Sequence, residues 1–200
     1  TRKESSAASD VYKRQGLAPV FGDLPADTTE ENLQARIRGV ILMALSNKLG
    51  GMVICSGNKS EAATGYSTLY GDTVGGFAIL KDVPKTLVYR LAHWRNLQQE
   101  IIPPGIISRA PSAELAEGQV DQDSLPPYEV LDEILYRLIE LKQSSEAIVQ
   151  AGFDETTVQR ISRLLKFNEY KRRQTAPGPR ISEGAFGLDW RYPLAHGFKY

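Results

Sequence analysis

The stretch from Ser56 to Gly76, SGNKSEAATGYSTLYGDTVGG, contains residue types that can bind a phosphate group and its metal ion. A short apolar run, Met52 to Cys55, comes directly before it and predicts a buried strand. Such a strand would deliver Ser56 to the carboxyl end of a sheet. Open α/β sheets bind their ligands at that edge.

A helix is predicted to begin next, because Asn58 followed three residues later by Glu61 is typical of a capping box. Backbone N–H groups, the Lys59 ammonium and the Glu61 carboxylate would then surround one point, which suits a phosphate with a metal ion. Glu61 has two possible roles at this stage: a metal ligand, or a carboxylate that only caps the helix.

The second half of the stretch is rich in Gly, Tyr and Thr and leads to Asp72, with Gly75 and Gly76 behind it. Several glycines in so short a segment indicate that the backbone approaches a bulky group or adopts positive φ. From these residues alone, we predict a nucleotide site.

The preceding helix offers two further polar groups. Thr28 with Glu31 has the pattern of a capping box, and apolar residues recur at helical spacing to about Lys48. Asn32 and Arg36 are four residues apart, so they would be neighbours on the flank of this helix. An exposed polar pair and a ligand-binding pair are both compatible with that spacing.

A later helix is predicted to open after Pro84, with Lys85 in its first turn. A lysine there opposes the helix dipole, so it is either merely solvated or neutralised by a ligand such as a phosphate. The consecutive charges Lys171, Arg172 and Arg173 fit a solvated surface.

Composition excludes several classes of protein. The chain has 200 residues, 42% of them hydrophobic, with 24 basic and 24 acidic residues, so its formal net charge is zero. We therefore expect one domain with no nucleic-acid or membrane partner. No apolar run approaches the roughly 20 residues that cross a bilayer, and we expect a cytoplasmic protein. The single cysteine, Cys55, excludes an intrachain disulfide and is expected to be buried and inert.

The second half of the chain is expected to be rich in helices. Apolar periodicity predicts helices from Tyr128 to about Lys142 and from Asp154 to Phe167, with a short additional one between them. The polar segment from Pro111 to Pro127 is a candidate lid.

Several runs in the sequence closely resemble the synthetase domain of glutamine-dependent NAD synthetases: ENLQARIRGV, SGNKSEAATGYSTLYGDTVGGFAILKDVPKT, APSAEL, EYKRRQ and AFGLDWRYP. The resemblance extends from Ala18 to Pro193. It implies an α/β fold, part of a doubly wound parallel sheet with flanking helices of the adenine-nucleotide α-hydrolase type. Residues 1–15 do not share it and are predicted to be a disordered or non-native extension. Residues 16–200 would be an incomplete synthetase domain.

The resemblance also implies the roles of particular residues. Those matching the family's deamido-NAD contacts are Asn32, Arg36, Glu61, Asp72, Trp94, Arg95, Asn96 and Lys171. Those matching its ATP contacts are Ser56, Lys85 and Ser112. Glu61 would in addition bind Mg²⁺. For Trp94, packing against the protein is the alternative.

The implied reaction is the ATP-dependent amidation of deamido-NAD through an adenylate, with ammonia taken from glutamine. The family's pyrophosphate loop, SGGxDS, does not occur in these residues, and the resemblance is to the C-terminal part of the domain. We therefore expect these 200 residues alone to be inactive, and the full-length protein to be a homo-oligomer. Two alternatives are another ATP-pyrophosphatase, such as a GMP synthetase or a tRNA-thiolating enzyme, and an inactive nucleotide-binding remnant.

Overall fold

The structure, a computed structural model, describes residues 15–112, 115 and 118–195. The predicted extension therefore lies outside the described residues, apart from Gln15. The helices after the helical segment 15–21 are α1 (Thr28–Leu49), α2 (Lys59–Thr64), α3 (Lys85–Asn96), α4 (Pro104–Ser108), α5 (Tyr128–Ile139), α6 (Ser145–Gln150), α7 (Glu155–Phe167) and α8 (Glu169–Arg172). The strands are β1 (Ile54–Cys55) and β2 (Phe77–Ala78).

The two strands form a small parallel sheet in which Ile54 pairs with Phe77 and Cys55 with Ala78. Because the strands are parallel, the segments that follow them leave from the same edge of the sheet. The predicted strand before Ser56 is confirmed, although it is shorter than the apolar run. Its predicted burial is correct for Cys55 but wrong for Ile54, which is 51% exposed. The described residues thus form a helix-rich fold around a small parallel sheet.

The hydrophobic core lies mainly between α5, α6 and α7. Its fully buried side chains share the helical spacing seen in the sequence: Leu131, Ile134, Ile139, Ile148, Val158, Ile161 and Leu165. These amphipathic faces confirm the predicted helices of the second half. Burying each such side chain stabilises the fold by about 1.5–3 kcal/mol.

Helix α1 begins one residue earlier than the sequence indicated. Asp27 is its N-cap and forms the capping box with Glu30, so the predicted box of Thr28 and Glu31 is wrong. Both pairs have the right spacing, but Asp27 is the residue with extended backbone. Gly50 ends the helix with φ of 67°, a conformation that suits glycine.

The apolar face predicted for α1 is only partly buried. Ile37 is buried, whereas Val40 is 60% exposed and Leu45 is 43% exposed. The helix packs on the loop after α2 rather than on a broad sheet: a Cβ added at Gly39 would lie 2.8 Å from the Tyr70 carbonyl oxygen. Only a residue without a side chain allows so close an approach.

Within the described residues, no helix is both long enough and apolar enough to span a lipid bilayer.

Candidate nucleotide site

Helix α2 begins with the predicted capping box. The Asn58 side chain accepts a hydrogen bond from the backbone N–H of Glu61, and the Glu61 carboxylate accepts one from the N–H of Asn58. The other carboxylate oxygen of Glu61 lies 3.0 Å from Nζ of Lys85. The structure therefore brings together the predicted metal ligand and the predicted ATP-binding lysine. Both side chains keep partial access to solvent, at 20% and 18% exposure.

The start of α3 is capped by residues from other elements, because its own N-cap, Pro84, supplies no side-chain bond. The N–H of Lys85 donates to Oγ of Ser60 at 2.9 Å, and the N–H of Thr86 donates to Asp132 at 2.8 Å. Ser60 in turn donates to Asp132. Asp132 thus fixes the helix turn that carries Lys85. This role of Asp132 was not predicted from the sequence, because it depends on contacts between distant segments.

Lys59 lies away from the predicted phosphate position. Its side chain is 7% exposed, with Nζ 2.9 Å from Asp82 and 2.8 Å from Glu140. It also donates to Ser182 at 2.6 Å. The prediction that Lys59 faces a phosphate is wrong, because this ammonium is already neutralised inside the protein and ties the C-terminal segment to the core.

A second polar cluster joins α1 to the loop after α2. Thr68 donates its hydroxyl to the Asn32 side chain at 2.8 Å and its backbone N–H to Asp72 at 2.6 Å. Nε of Arg36 donates to the Leu69 carbonyl at 3.1 Å. Three residues predicted to contact the dinucleotide, Asn32, Arg36 and Asp72, are therefore brought together by one loop.

Local desolvation by neighbouring atoms alters the acidity of the Asp72 side chain, although the residue as a whole is exposed to solvent. Its pKa is raised above the ordinary value, mainly because the carboxylate is desolvated and to a smaller extent because of the nearby negative charge of Glu61. Hydrogen bonds from backbone N–H groups and the positive charge of Lys171 act in the opposite direction. Desolvation and hydrogen bonding therefore act in opposite directions on the ionisation of this carboxylate.

Three side chains from the junction of α7 and α8 hold the end of α2 and the loop behind it. Asn168 donates to the Thr64 carbonyl at 2.8 Å, and Arg172 donates to those of Ala62 and Ala63 at 3.2 and 3.0 Å. Orphan carbonyls at a helix end need such partners when water is excluded. We call Asn168, Lys171 and Arg172 the α2 clamp.

Lys171 is the third member of the clamp. Its ammonium donates to the carbonyls of Gly65 and Ser67 at 2.6 and 2.7 Å, and its pKa is lowered because of burial. The predicted dinucleotide lysine therefore lies beside the loop that carries Asp72. The interpretation of residues 171–173 as a solvated run is wrong for Arg172, which is 4% exposed.

Ser56 and Ser112 occupy different surroundings. Ser56 is exposed at the edge of the sheet, next to the start of α2. Ser112 donates its hydroxyl to the Gln119 carbonyl at 2.5 Å, and the Gln119 side chain lies 3.4 Å from Glu31 on α1. The segment predicted to be a lid is thereby tied to the first turns of α1.

The last three predicted contacts, Trp94, Arg95 and Asn96, lie at the far end of α3. Trp94 is nine positions after Lys85 in the sequence. This spacing corresponds to about 13 Å along a helix. Trp94 is 62% exposed, so the alternative of a packed tryptophan does not describe it. Asn96 accepts from the N–H groups of Ile101 and Ile102 and fixes the following turn. The structure does not bring these three residues to the other candidates.

Tyr128, whose contact with Lys85 was not predicted from the sequence, lies against this lysine, and Asp121 holds the Tyr128 hydroxyl. The Lys85 ammonium is 5.3 Å from the centre of the Tyr128 ring. The Tyr128 hydroxyl donates to Asp121 at 2.6 Å, and the pKa of Tyr128 is raised, mainly by burial and then by this hydrogen bond. The aromatic face thus attracts the Lys85 ammonium and helps to hold it in position.

Comparisons with known proteins identify the family of the chain. The family model described as NAD synthase matches residues 6–175. A glutamine-dependent NAD(+) synthetase from Xanthomonas campestris pv. campestris is 58% identical over 91% of this chain and 33% of the relative. The structure of a glutamine-dependent NAD+ synthetase from Acinetobacter baumannii, in complex with adenosine diphosphate, is similar with 50% identity and a TM-score of 0.50, covering 94% of this chain and 33% of that one.

A second solved structure supports the fold. The glutamine-dependent NAD(+) synthetase from Cytophaga hutchinsonii is 24% identical, with a TM-score of 0.71 over 94% of this chain and 33% of that one. This chain spans about a third of the length of the relatives it matches. Because the family model matches most of its residues, the chain belongs to the NAD synthase family.

Proposed function

We propose that this chain forms part of the site at which the full-length protein amidates deamido-NAD to NAD, using ATP and ammonia released from glutamine. The observation that carries the proposal is the placement of two groups of side chains on either side of α2. Glu61 and Lys85 lie at its start, and the loop that joins Asn32, Arg36 and Asp72 follows its end. In the same proposal, the small sheet belongs to a larger doubly wound parallel sheet.

Activation of a carboxylate by ATP requires cations for the departing pyrophosphate and a fixed orientation for the pyridine carboxylate. Lys85 is the group suited to the phosphates, because Glu61, Tyr128 and the Ser60 and Asp132 contacts hold it in place. Arg36 is suited to the dinucleotide, because its guanidinium is exposed beside the loop that carries Asp72. Positioning and charge neutralisation account for the chemistry without a covalent enzyme group.

We propose that ATP binds together with Mg²⁺ and that Glu61 is a protein ligand of this metal ion. Mg²⁺ commonly binds one or two carboxylates and takes its remaining ligands from phosphates and water. The Glu61 carboxylate, which is 20% exposed, could supply one such ligand. No group of three His, Cys, Asp or Glu side chains among the described residues could hold a metal ion alone. When bound, the metal would neutralise phosphate charge.

Glu61→Gln tests this assignment in the full-length protein. Gln can replace Glu in a capping box, since either side-chain oxygen accepts the bond, and the lost helix-dipole interaction is worth only about 0.3–1 kcal/mol. We expect a nearly unchanged melting temperature, a lower adenylation rate and a higher Mg²⁺ concentration for the half-maximal rate. A Mg²⁺ titration that matches wild type would show that Glu61 is not the metal ligand and acts only as a helix cap and as the ion-pair partner of Lys85.

The dinucleotide assignment predicts a selective kinetic effect. Arg36→Ala and Asp72→Ala should each raise the KM for deamido-NAD about tenfold or more, because a charge-assisted hydrogen bond is worth about 1.5–3 kcal/mol. The KM for ATP should change much less. Arg38→Ala, which removes an exposed arginine from the same helix, is the control. Equal effects on both substrates would reject the assignment.

The similarity to NAD synthetases favours this reaction over that of another ATP-pyrophosphatase. A cytoplasmic location and a homo-oligomeric full-length protein remain predictions, as does the inactivity of these 200 residues alone. Measuring NAD formation by the full-length protein separates an active ligase from an inactive nucleotide-binding remnant.

A further inference from the structure

A separate concave site borders Asp82, the acid that pairs with the buried Lys59. It is a cavity of about 440 Å³ between residues 81–82, the α8 region and the C-terminal segment 175–191. Four cationic side chains line it: Lys81, Arg172, Arg173 and Arg191. The two acidic side chains in its lining are Asp82 and Glu169.

The C-terminal segment forms one wall because it packs closely on β2. The N–H of Ala78 donates to the Pro177 carbonyl at 2.8 Å. A Cβ added at Gly178 would lie only 2.3 Å from the Ala78 carbonyl oxygen, so this position requires glycine. Backbone contacts between residues 177–178 and Ala78 therefore hold this wall of the cavity in place.

The two acids of the lining are already neutralised by other cations. Glu169 is shared between Arg172, at 3.0 Å, and Arg173, at 2.7 Å. Asp82 is paired with Lys59 at 2.9 Å. Neither carboxylate is therefore the counter-ion of Lys81 or Arg191.

Lys81 and Arg191 form no ion pair within the part of the chain that the structure describes. Nζ of Lys81 donates to the Ala176 carbonyl at 2.9 Å, and Nε of Arg191 donates to the Gly187 carbonyl at 2.7 Å. Both cations thus face a cavity with only neutral partners. Burial lowers the pKa of Lys81, so an anion in the cavity would stabilise its charged form.

We propose that this cavity binds a phosphate-class anion through Lys81 and Arg191. Lysine provides a point charge and arginine a planar fork, the two forms of cation that bind phosphate oxygens. The volume lies within the range of small-ligand sites, about 300–1,000 Å³. The bound group is inorganic phosphate, pyrophosphate or the 5′-phosphate of a nucleotide. This site is separate from Lys85 and does not depend on the proposed amidation.

The test measures anion binding by calorimetry with the full-length protein, without Mg²⁺ and at low salt. All variants carry Lys85→Met, which removes the lysine of the candidate ATP site. Inorganic phosphate, pyrophosphate and AMP are titrated separately, and the tightest of the three identifies the source of the phosphate group. Lys81→Met and Arg191→Gln are compared with Lys48→Met, which removes an exposed lysine at the end of α1.

We expect Lys81→Met and Arg191→Gln each to weaken binding of the tightest anion about tenfold, and Lys48→Met to change it less than twofold. Arg191→Gln keeps the test valid if Lys81→Met disturbs the C-terminal segment. Failure of all three anions to bind, or an affinity for the tightest anion that is the same in the Lys81→Met, Arg191→Gln and Lys48→Met variants, would overturn the proposal. Because these are binding measurements, their outcome is distinct from any loss of amidation.

Discussion

Replacing Arg172 by Met should lower the free energy of unfolding by about 3–5 kcal/mol, the usual cost of removing one partner of a buried ion pair. Its guanidinium side chain is only 2% exposed and lies 3.0 Å from Glu169. It also donates to the Ala62, Ala63 and Leu165 carbonyls and lies over the Phe186 ring. Without it, the Glu169 carboxylate and these carbonyls lose donors that water cannot easily replace.

Urea unfolding of the full-length protein, with the transition of this domain followed, measures the change. Arg173→Met is the matched control, because Arg173 pairs with the same Glu169 but is 38% exposed. Its loss should cost about 1 kcal/mol or less. Equal losses of stability in the two variants would contradict a special role of Arg172 in the α2 clamp.

Replacing Lys85 by Met should slow pyrophosphate release during adenylation about 10²–10³-fold, the usual effect of losing one preorganised group that stabilises transition-state charge. The lysine is positioned by Glu61 at 3.0 Å and by the Tyr128 ring at 5.3 Å. Lys59, at the start of α2, cannot replace Lys85 as the phosphate-binding cation, because Asp82 and Glu140 already neutralise it.

Single-turnover measurement of pyrophosphate release tests this expectation in the full-length protein. Arg90→Met removes an exposed arginine from the same helix and should change the rate less than twofold. A Lys85→Met rate within threefold of wild type would place the phosphate-binding lysine elsewhere.

Local patterns in the sequence predicted most of the elements that depend on neighbouring residues, although they placed the start of α1 one residue too late. The capping box of Asn58 and Glu61 involves two residues three positions apart, and the structure has it. The cores of α5 and α7 follow from apolar spacing alone, as buried Leu131 and Ile161 illustrate. Such signals need no knowledge of the rest of the fold.

Contacts between distant segments could not be predicted in this way. Lys59 and Arg172 have mostly polar neighbours in the sequence. Their structural roles follow only from their burial and from their contacts with distant residues, Asp82 for Lys59 and Ala63 for Arg172. The burial of α1 could not be predicted either. The sequence shows an apolar face on this helix, but it does not specify which other segment, if any, covers that face. Asp132 was missed because its acceptor role depends on Ser60 and Thr86, which are 72 and 46 residues away.

Product analysis of the full-length protein tests the central claim, that this site activates deamido-NAD as an adenylate. The protein is incubated with ATP, deamido-NAD and ammonia, and the nucleotides are separated over time. We expect NAD, AMP and pyrophosphate to form in equal amounts. The rate at which all three form should depend on Lys85. Formation of ADP and phosphate in place of AMP and pyrophosphate, or no NAD at all, would contradict the proposed function.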